Sequence, residues 1–354
     1  MKVSDDMAKK TNIAEIARLA GVSTATVSYV INDINKVSEK TKEHVRSIMA
    51  ELDYIPSINA RSLSNGQTKL IGVTLPLIAP SDTTGTLLET NPFFSEYLGE
   101  IHKVISSYGY DILLSGIQVK GKYKNWIKSR GLDGIILLGS YPTDIYEEVK
   151  NLNIPTVLTD VYESYANDFH SVNTDDAEGS YLATKHLLSL GHRKIGFVGG
   201  SIKESPIHNN RYLGYGKAML EANIKINHDC VFETLTTFEG GMLLAQKLMK
   251  EKTDLTALVV DADIVALGIM KTFQDANKKI PDHMSIVGFD DIQAASFTSP
   301  GLTTIRQFIS KKGELAANLI MKDILANTRT TDSKVVKSKL IIRGSTKKID
   351  DKKL

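Results

Sequence analysis

Residues 12–32 read NIAEIARLAGVSTATVSYVIN, and this stretch decides the fold of the first sixty residues. Its first apolar residues recur at i, i+3, i+4 and i+7: Ile13, Ile16, Ala17 and Ala20. This spacing predicts an amphipathic helix over 12–19 that ends at Gly21. Ser23 suits the N-cap of a second helix, and a third helix is expected from near Ser38. Two helices joined by a tight turn and supported by a third make a helix-turn-helix.

The second helix is expected to bury Val27, Val30 and Ile31 and to carry a different kind of surface on its opposite face. That face has short polar or amphipathic side chains and no Asp or Glu: Thr24, Ala25, Ser28, Tyr29 and Asn32. Such a surface can approach base edges and phosphates in the major groove without repulsion. A solvated face of a small helical bundle has the same pattern, although the DNA interpretation is favoured.

The composition is that of a globular protein, with 354 residues, 42% hydrophobic and 24% charged, so two or three lobes are expected. No apolar run approaches the roughly 18 residues of a membrane span, and the first residues do not resemble a secretory signal. We therefore expect a cytoplasmic protein with no membrane contact. A single cysteine, Cys230, excludes an internal disulfide and a cysteine-based zinc site, so neither a metal nor a cofactor is expected.

Charge is distributed unevenly along the chain. Residues 1–69 hold ten Lys and Arg against eight Asp and Glu, residues 334–354 hold eight against two, and the middle has a net charge of −6. Because an acidic body repels phosphates, DNA would have to be bound by the N-terminal motif rather than by bulk charge. The basic tail, 346–354, could be a DNA-attracting arm, although a solvated end is favoured.

Beyond residue 67 the pattern alternates between short β-rich runs and stretches with helical spacing. The expected strands are 70–75, 110–115, 134–138, 156–159, 194–198, 257–260 and 285–289. Such alternation predicts parallel sheets covered by helices on both faces, and the length fits two doubly wound lobes. Ligands bind such lobes at the carboxyl ends of the strands, in the cleft between them.

Several polar residues lie within two positions of the ends of these expected strands: Ser140, Asp160, Asp261 and Asp290. Strand-end carboxylates suit a polyhydroxyl ligand, since each accepts hydroxyl hydrogen bonds. Aspartates also cap helices, which is the role expected for Asp175, Asp176 and Asp263. Enzyme motifs are missing: the first strand is followed by no glycine-rich phosphate loop, and neither a P-loop nor a Gly-x-Ser-x-Gly elbow occurs. No catalytic residue is assigned. An exported sugar-binding protein would share the two lobes, but the leading helix-turn-helix argues against it.

The run 12–32, with VSEKT at 37–41 and LDYIPSINARSL at 52–63, resembles the LacI/GalR family of bacterial transcription regulators almost position for position. Further landmarks are NPFF at 91–94, GHRK at 191–194, NRYLGY at 210–215, IVGFDD at 286–291, LTTIRQ at 302–307 and IRGS at 342–345. The resemblance implies an N-terminal three-helix helix-turn-helix DNA-binding domain (8–56), a hinge helix and linker (57–67), and a two-lobed α/β periplasmic-binding-protein-like effector domain with parallel sheets (68–345). The expected lobes are about 68–167 with 300–328, and 168–299 with 329–345.

The resemblance also implies which residues touch DNA. Positions matching Thr24, Ala25 and Tyr29 face bases in the family. Those that mostly hold phosphates match Ser23, Thr26, Ser28, Asn32, Thr41 and Tyr54. The family usually has Arg at the position of Tyr29. A phenol offers one hydroxyl and a ring for a thymine methyl, whereas Arg grips guanine bidentately, so the operator preference of relatives cannot be carried over.

Residues 57–64 are too few for a helix that is stable alone in water. The resemblance implies a hinge helix that folds against its dimer mate in the minor groove, with Ser57 and Ala60 near DNA and Leu63 wedged into the central base step. The alternative is that Leu63 packs on the following domain.

For the effector site, the resemblance matches Asp160, Arg211 and Asp290 to residues that bind hydroxyls or carboxylates. It matches Phe93 and Phe94 to apolar walls of the same pocket. Two departures concern the effector: Ala262 replaces a frequent Asn, and Thr236 replaces a frequent stacking aromatic residue. Asp261 could supply the missing polar group, which favours a hydroxyl-rich sugar over a planar base.

We therefore expect a repressor of a carbohydrate-utilisation operon that binds double-stranded palindromic operator DNA. Its effector would be a sugar or a sugar phosphate. No heptads for a tetramerising coil follow Arg343, so a homodimer is expected. The alternative is a global carbon-catabolite regulator whose corepressor, a phosphorylated carrier protein, docks near residues 98–107.

Overall fold

The computed structural model describes residues 12–31, 33–54, 67–76, 84–116, 122–251 and 253–349. The chain divides into a small unit, which takes the N-terminal residues to Leu70 with 130–133, and a large unit that holds the rest. Among the described residues, no helix has both the length and the apolar character that crossing a membrane requires.

The small unit contains three helices: α1 (Ile13–Leu19), α2 (Thr24–Ile31) and α3 (Glu39–Glu51). Side-chain oxygens cap all three, since Asn12, Ser23 and Ser38 each accept a hydrogen bond from the backbone N–H three residues on. Gly21 lies between α1 and α2 with φ +62°, a conformation that glycine adopts without strain. The core is made by apolar residues of all three helices: Ile16, Ala17, Val27, Val30, Val45 and Ile48. The predicted helix-turn-helix is confirmed.

The large unit alternates strands and helices. Its first part contains β1 (Leu70–Thr74), α4 (Thr84–Thr90), α5 (Pro92–Ser107), β2 (Asp111–Ser115), α6 (Lys122–Arg130), β3 (Gly134–Leu138), α7 (Thr143–Lys150), β4 (Thr156–Thr159) and β5 (His170–Thr174). Its second part contains α8 (Asp176–Ser189), β6 (Ile195–Gly199), α9 (Pro206–Glu221), β7 (Val231–Glu233), α10 (Phe238–Glu251), β8 (Ala257–Val260), α11 (Asp263–Asp275), β9 (Ser285–Asp290), α12 (Ala294–Phe297), β10 (Thr303–Arg306), α13 (Ile309–Ala326), β11 (Ser333–Val336) and β12 (Lys339–Ile341).

The strands form two six-stranded sheets, ordered β11-β5-β4-β3-β1-β2 and β12-β10-β9-β8-β6-β7. Pairing is parallel between β1 and β3 and from β3 through β4 and β5 to β11. It is also parallel from β7 through β6, β8 and β9 to β10, whereas β12 pairs antiparallel with β10. Every residue of β3, β6 and β9 is buried, as expected of parallel strands covered on both faces. The predicted two-lobed α/β fold is confirmed.

The strand pairing corrects the expected lobe boundaries. The first lobe keeps β5 and later takes α13 and β11, and the second lobe takes β10 and β12. The chain therefore crosses between the lobes after Thr174, Arg306 and Val336 instead of at 167/168, 299/300 and 328/329. The reason is that β5 (HSVNT) and β10 (TTIR) are polar in sequence, although the fold buries nearly all of their residues.

Candidate DNA-binding face and interlobe cleft

The exposed side of α2 begins at a well-ordered cap. Ser23 Oγ accepts a hydrogen bond from the Thr26 backbone N–H at 3.1 Å and contacts Thr26 Oγ1 at 2.9 Å. Thr24 and Ala25 are exposed, whereas Tyr29 is half-buried. The cap predicted for Ser23 is confirmed. The DNA contacts of these residues stay predictions.

The other DNA-binding candidates differ in how they are placed. Thr41 Oγ1 lies 2.9 Å from Ser38 Oγ at the start of α3. Tyr54 packs against the core of the small unit, and burial raises the pKa of its hydroxyl. Ser28 is half-buried on α2. The remaining candidates lie outside the described residues: Asn32, Ser57, Ala60 and Leu63. The hinge helix therefore also stays a prediction.

In the large unit, four of the predicted effector-binding residues come together in one buried polar cluster. Asp160 follows β4, Asp261 follows β8, Asp290 ends β9, and Arg211 lies on α9. None of the four is more than 7% exposed. The carboxyl ends of strands from both sheets thus contribute to this cluster, as expected for a cleft between two doubly wound lobes.

Arg211 is the centre of the part that belongs to the second lobe. Its Nε donates to Asp176 Oδ1 at 2.7 Å, and its Nη1 donates to the carbonyl oxygen of Asp261. Nη1 also lies 3.9 Å from Asp290 Oδ1, and the guanidinium carbon lies 3.8 Å from the centroid of the Phe289 ring. Burial alone would lower the pKa of Arg211, but the surrounding carboxylates raise it above its ordinary value.

The carboxyl group of Asp290 lies near two polar side chains, those of Gln307 and Arg211. Its Oδ1 accepts a hydrogen bond from Gln307 Nε2 at 2.6 Å. Burial raises the pKa of Asp290 to about 7, even though Arg211 and Gln307 oppose the shift. The residue also has φ +121°, a backbone conformation that is strained for a side chain with a Cβ. Such strain persists where the surroundings hold a side chain in one position.

Lys312 is the corresponding cation in the first lobe, and the sequence analysis did not identify it. The side chain is completely buried. Its Nζ donates to both carboxylate oxygens of Asp160, at 2.6 and 2.8 Å, and to Gln307 Oε1 at 3.0 Å. Burial raises the pKa of Asp160, although Lys312 opposes this effect. Gln307 therefore connects the Lys312–Asp160 pair in the first lobe to Asp290 in the second.

The carboxylate of Asp261 contacts two further residues of the second lobe, His208 and Gly200. Its Oδ2 lies 2.5 Å from His208 Nδ1 and 3.4 Å from the Gly200 backbone nitrogen. Within the part of the chain that the structure describes, its buried Oδ1 and the buried Oγ of Ser140 have no hydrogen-bond partner. These two oxygens can accept hydrogen bonds from a ligand.

The two phenylalanines begin α5 and are partly buried against the first-lobe core. The ring of Phe93 lies 5.8 Å from that of Tyr97, and Lys312 Nζ lies 5.5 Å from the Phe93 centroid. Phe94 packs edge-on against Phe93 at 5.2 Å. Phe93 thus adjoins the Lys312–Asp160 pair. Among the described residues, Ser140 and Phe94 have no hydrogen bond or ring contact with Arg211 or Asp290.

Of the three expected capping roles, that of Asp175 is confirmed and those of Asp176 and Asp263 are wrong. Asp175 caps α8 by accepting from the Glu178 N–H at 3.0 Å, as predicted. Asp176 instead binds Arg211 and accepts a hydrogen bond from the Tyr162 hydroxyl. Asp263 accepts from the Ile292 N–H at 3.0 Å and the Thr304 hydroxyl at 2.5 Å, so it joins α11 to neighbouring segments.

The cluster contains residues that sequence reasoning missed. Gln307 was not among the predicted effector-binding residues, yet it bonds to both lobes. Lys312 occupies a position on α13 where the buried residues, apart from Asp323, are apolar or small, as at Ile309 and Ala316. A lysine among such residues is a signal for a buried ion pair, and it could have been found. His192 is a structural residue, with hydrogen-bond contacts at 2.9 Å to the Thr256 hydroxyl and at 3.0 Å to the Lys347 carbonyl.

Comparison with known families matches both parts of the chain. The family described as bacterial regulatory proteins, lacI family, matches residues 12–57, and the periplasmic binding protein-like domain matches residues 184–346. The ribose operon repressor of Haemophilus influenzae is 34% identical over 338 residues, which cover 94% of this chain and 97% of that protein. The transcriptional repressor PurR of Vibrio campbellii is 33% identical, covering 96% of this chain and 99% of that protein.

Solved structures agree with these matches. A lac repressor dimer bound to operator and the anti-inducer ONPF has a TM-score of 0.80 at 26% identity, covering 96% of this chain and all of that one. A LacI family regulator from Enterococcus faecium with bound ribose has a TM-score of 0.70 at 28% identity, covering 79% of this chain and all of that one. The fold and the matched domains define a DNA-binding transcriptional regulator, not an enzyme. The chain belongs to the lacI family of bacterial regulatory proteins.

Proposed function

We propose that the protein is a homodimeric repressor of a carbohydrate-utilisation operon, acting in the cytoplasm. The exposed face of α2 and the hinge segment bind a palindromic operator, and a small sugar binds between the two lobes of the large unit. The observation that carries this proposal is the buried polar cluster that Asp160, Asp261 and Asp290 at strand ends form with Arg211 of α9. The names of the relatives support it, since one is a ribose operon repressor.

The charges of the cluster favour an uncharged effector over a sugar phosphate. The two cationic side chains of the cluster are already paired with carboxylates, Arg211 with Asp176 and Lys312 with Asp160. A phosphate would therefore have to displace one of these carboxylates at a site of low dielectric constant, beside the buried carboxyl groups of Asp261 and Asp290. A neutral sugar offers hydroxyl donors, and the unpaired Asp261 Oδ1 is a fitting acceptor.

The coupling to DNA follows from how the cluster crosses the cleft. Gln307 receives hydrogen bonds from Lys312 and Thr174 of the first lobe and donates one to Asp290 of the second. An effector that competes for Asp290 or Arg211 changes these contacts and with them the angle between the lobes. The dimer then alters the spacing of its hinge segments. A coupling free energy of about 1–3 kcal/mol changes operator affinity by roughly 5- to 150-fold.

A thermal-shift screen of the full-length protein tests the effector class. Neutral pentoses and hexoses are compared with their phosphates. A ligand at 100 times its dissociation constant adds about 2.7 kcal/mol, which raises the melting temperature by roughly 5–10 °C. Asp261→Asn should reduce the shift, whereas Asp275→Asn, which alters an exposed residue of α11, should leave it unchanged. Stabilisation by phosphates alone, or by none of these compounds, would contradict the proposal.

A further inference from the structure

The helix that is expected to enter the major groove carries no cation. The sequence of α2 is TATVSYVI, without Lys or Arg. Proteins gain most of their salt-dependent affinity for DNA by neutralising phosphates with these two residue types. In the family that this chain resembles, the position of Tyr29 usually supplies an Arg. A cation close to the bases must therefore come from another segment.

Lys36 lies at the position where such a cation is needed. Its Nζ is 5.5 Å from the centroid of the Tyr29 ring, within the range of a cation–π contact. The intervening turn is held by backbone hydrogen bonds from the Ile34 N–H to the Tyr29 carbonyl at 2.9 Å and from the Lys36 N–H to the Ile34 carbonyl at 2.8 Å. Tyr29 is half-buried, so the small unit holds part of its side chain and the ring can support the ammonium group of Lys36.

Two neighbouring cations of the small unit, Lys42 and Arg46, are already paired with carboxylates. Lys42 is 3% exposed and lies 3.3 Å from Asp33 and 2.8 Å from Glu39. Arg46 lies 2.9 Å from Asp33. Lys36 is exposed, and across the described residues no carboxylate pairs with it. A lysine that is held by a ring and exposed to solvent is suited to bind a phosphate.

We propose that Lys36, held over the ring of Tyr29, binds a DNA backbone phosphate beside the bases that Tyr29 faces. The pair replaces a single Arg: Lys36 supplies the charge, and Tyr29 supplies both the base-facing hydroxyl and the support that positions Lys36. The inference rests on the proposed DNA-binding face of α2. It makes Tyr29 a positioning residue for a sequence-independent contact as well as a determinant of base preference.

The phosphate contact has a measurable signature in salt. Each neutralised phosphate contributes about 0.9 to the slope of log affinity against log salt, so losing Lys36 from both subunits of a dimer lowers the slope by roughly 2. Losing only the support of the ring weakens the contact by about two- to five-fold without removing the charge. Two substitutions therefore separate the two contributions: one removes the charge of Lys36, and the other removes the ring of Tyr29 that supports it.

The test measures binding of the full-length protein to a random-sequence DNA duplex by fluorescence anisotropy over a series of KCl concentrations. Lys36→Met should lower the salt slope, and Lys36→Arg should restore it. Lys271→Met makes the same change in net charge on the exposed surface of α11 and should leave the slope unchanged. Tyr29→Leu should weaken binding in the wild-type background but not in the Lys36→Met background.

Two results would overturn this inference alone: a Lys36→Met slope equal to that of a DNA-binding wild type, or an equal effect of Tyr29→Leu in both backgrounds. Failure of the wild-type protein to bind any duplex would instead overturn the proposed DNA-binding function itself. Because Lys36 is exposed, its variants should keep the wild-type melting temperature, which a thermal melt verifies.

Discussion

Replacing Lys312 by Met is the most informative perturbation of the interlobe cluster. Met keeps most of the length and the apolar stem of the side chain but removes the ammonium group, so the change acts mainly on charge. It leaves Asp160 without the partner that contacts both of its oxygens, in a position only 7% exposed. The variant therefore measures how much an unpaired, buried carboxylate at position 160 lowers the free energy of unfolding.

The expected loss is about 3–5 kcal/mol in the free energy of unfolding, because breaking a buried pair from one side leaves an uncompensated charge. At roughly 2–4 °C per kcal/mol, the melting temperature should fall by about 6–20 °C. Replacing both partners, with Lys312→Met and Asp160→Asn together, removes both charges and should recover most of the loss.

The pH dependence of the loss follows from Asp160. Burial already raises its pKa, and removing Lys312 raises it further. A carboxyl whose pKa is raised in the folded state stabilises the fold below its ordinary pKa, near 4, and this stability is lost as the pH rises through the folded-state value. The deficit of the variant should therefore be small near pH 4 and largest at pH 8.

The free energies of unfolding are measured by urea denaturation at pH 4.5 and at pH 8. The proteins compared are the wild type, the two single variants and the double variant. Lys271→Met is the matched control, because it breaks an exposed i, i+4 pair with Asp275 and should cost less than about 0.5 kcal/mol. A loss below about 1 kcal/mol at pH 8 for Lys312→Met, or the same loss in the double variant, would refute the buried pair.

Three further predictions concern other parts of the chain. Because burial raises the pKa of Asp290 to about 7, the free energy of unfolding should fall by up to about 4 kcal/mol between pH 4 and pH 8, and urea titrations of Asp290→Asn should show a flatter profile. A Cβ on Gly214 would lie 2.0 Å from the Ala177 carbonyl oxygen, so Gly214→Ala should separate α8 from α9 and lower stability by about 1–3 kcal/mol in calorimetry; an unchanged melting temperature would contradict this packing. Leu63→Ala should weaken operator binding in gel shifts by more than about tenfold if the side chain is the minor-groove wedge, and unchanged affinity would exclude that role.

The small unit could be predicted from sequence because its signals are local. Ser23 and Ser38 cap helices within three residues, and Gly21 marks a turn that only a few neighbours determine. The lobe crossings could not be predicted in the same way. The strands β5 and β10 are polar in sequence and are buried only by partners that are distant along the chain, as Thr304 is by Asp263.

The residues of the cleft were predictable where a local signal marks them, and not where their partners are distant along the chain. The carboxylates Asp160 and Asp290 follow strands, and the rule for parallel sheets places such residues at a ligand site. Their partners follow no such rule: Lys312 binds Asp160 across 152 residues of sequence. Asp176 has the pattern of a helix cap, but it binds Arg211 because α8 and α9 pack side by side.

The most direct test of the account is the operator affinity of the full-length protein with and without a saturating neutral sugar. The operator is first selected from a palindromic DNA library by the protein itself, and the sugar is the one that the thermal-shift screen identifies. The account predicts that the sugar changes the dissociation constant for the operator by roughly 5- to 150-fold. The same dissociation constant in the presence and absence of the bound sugar would contradict it.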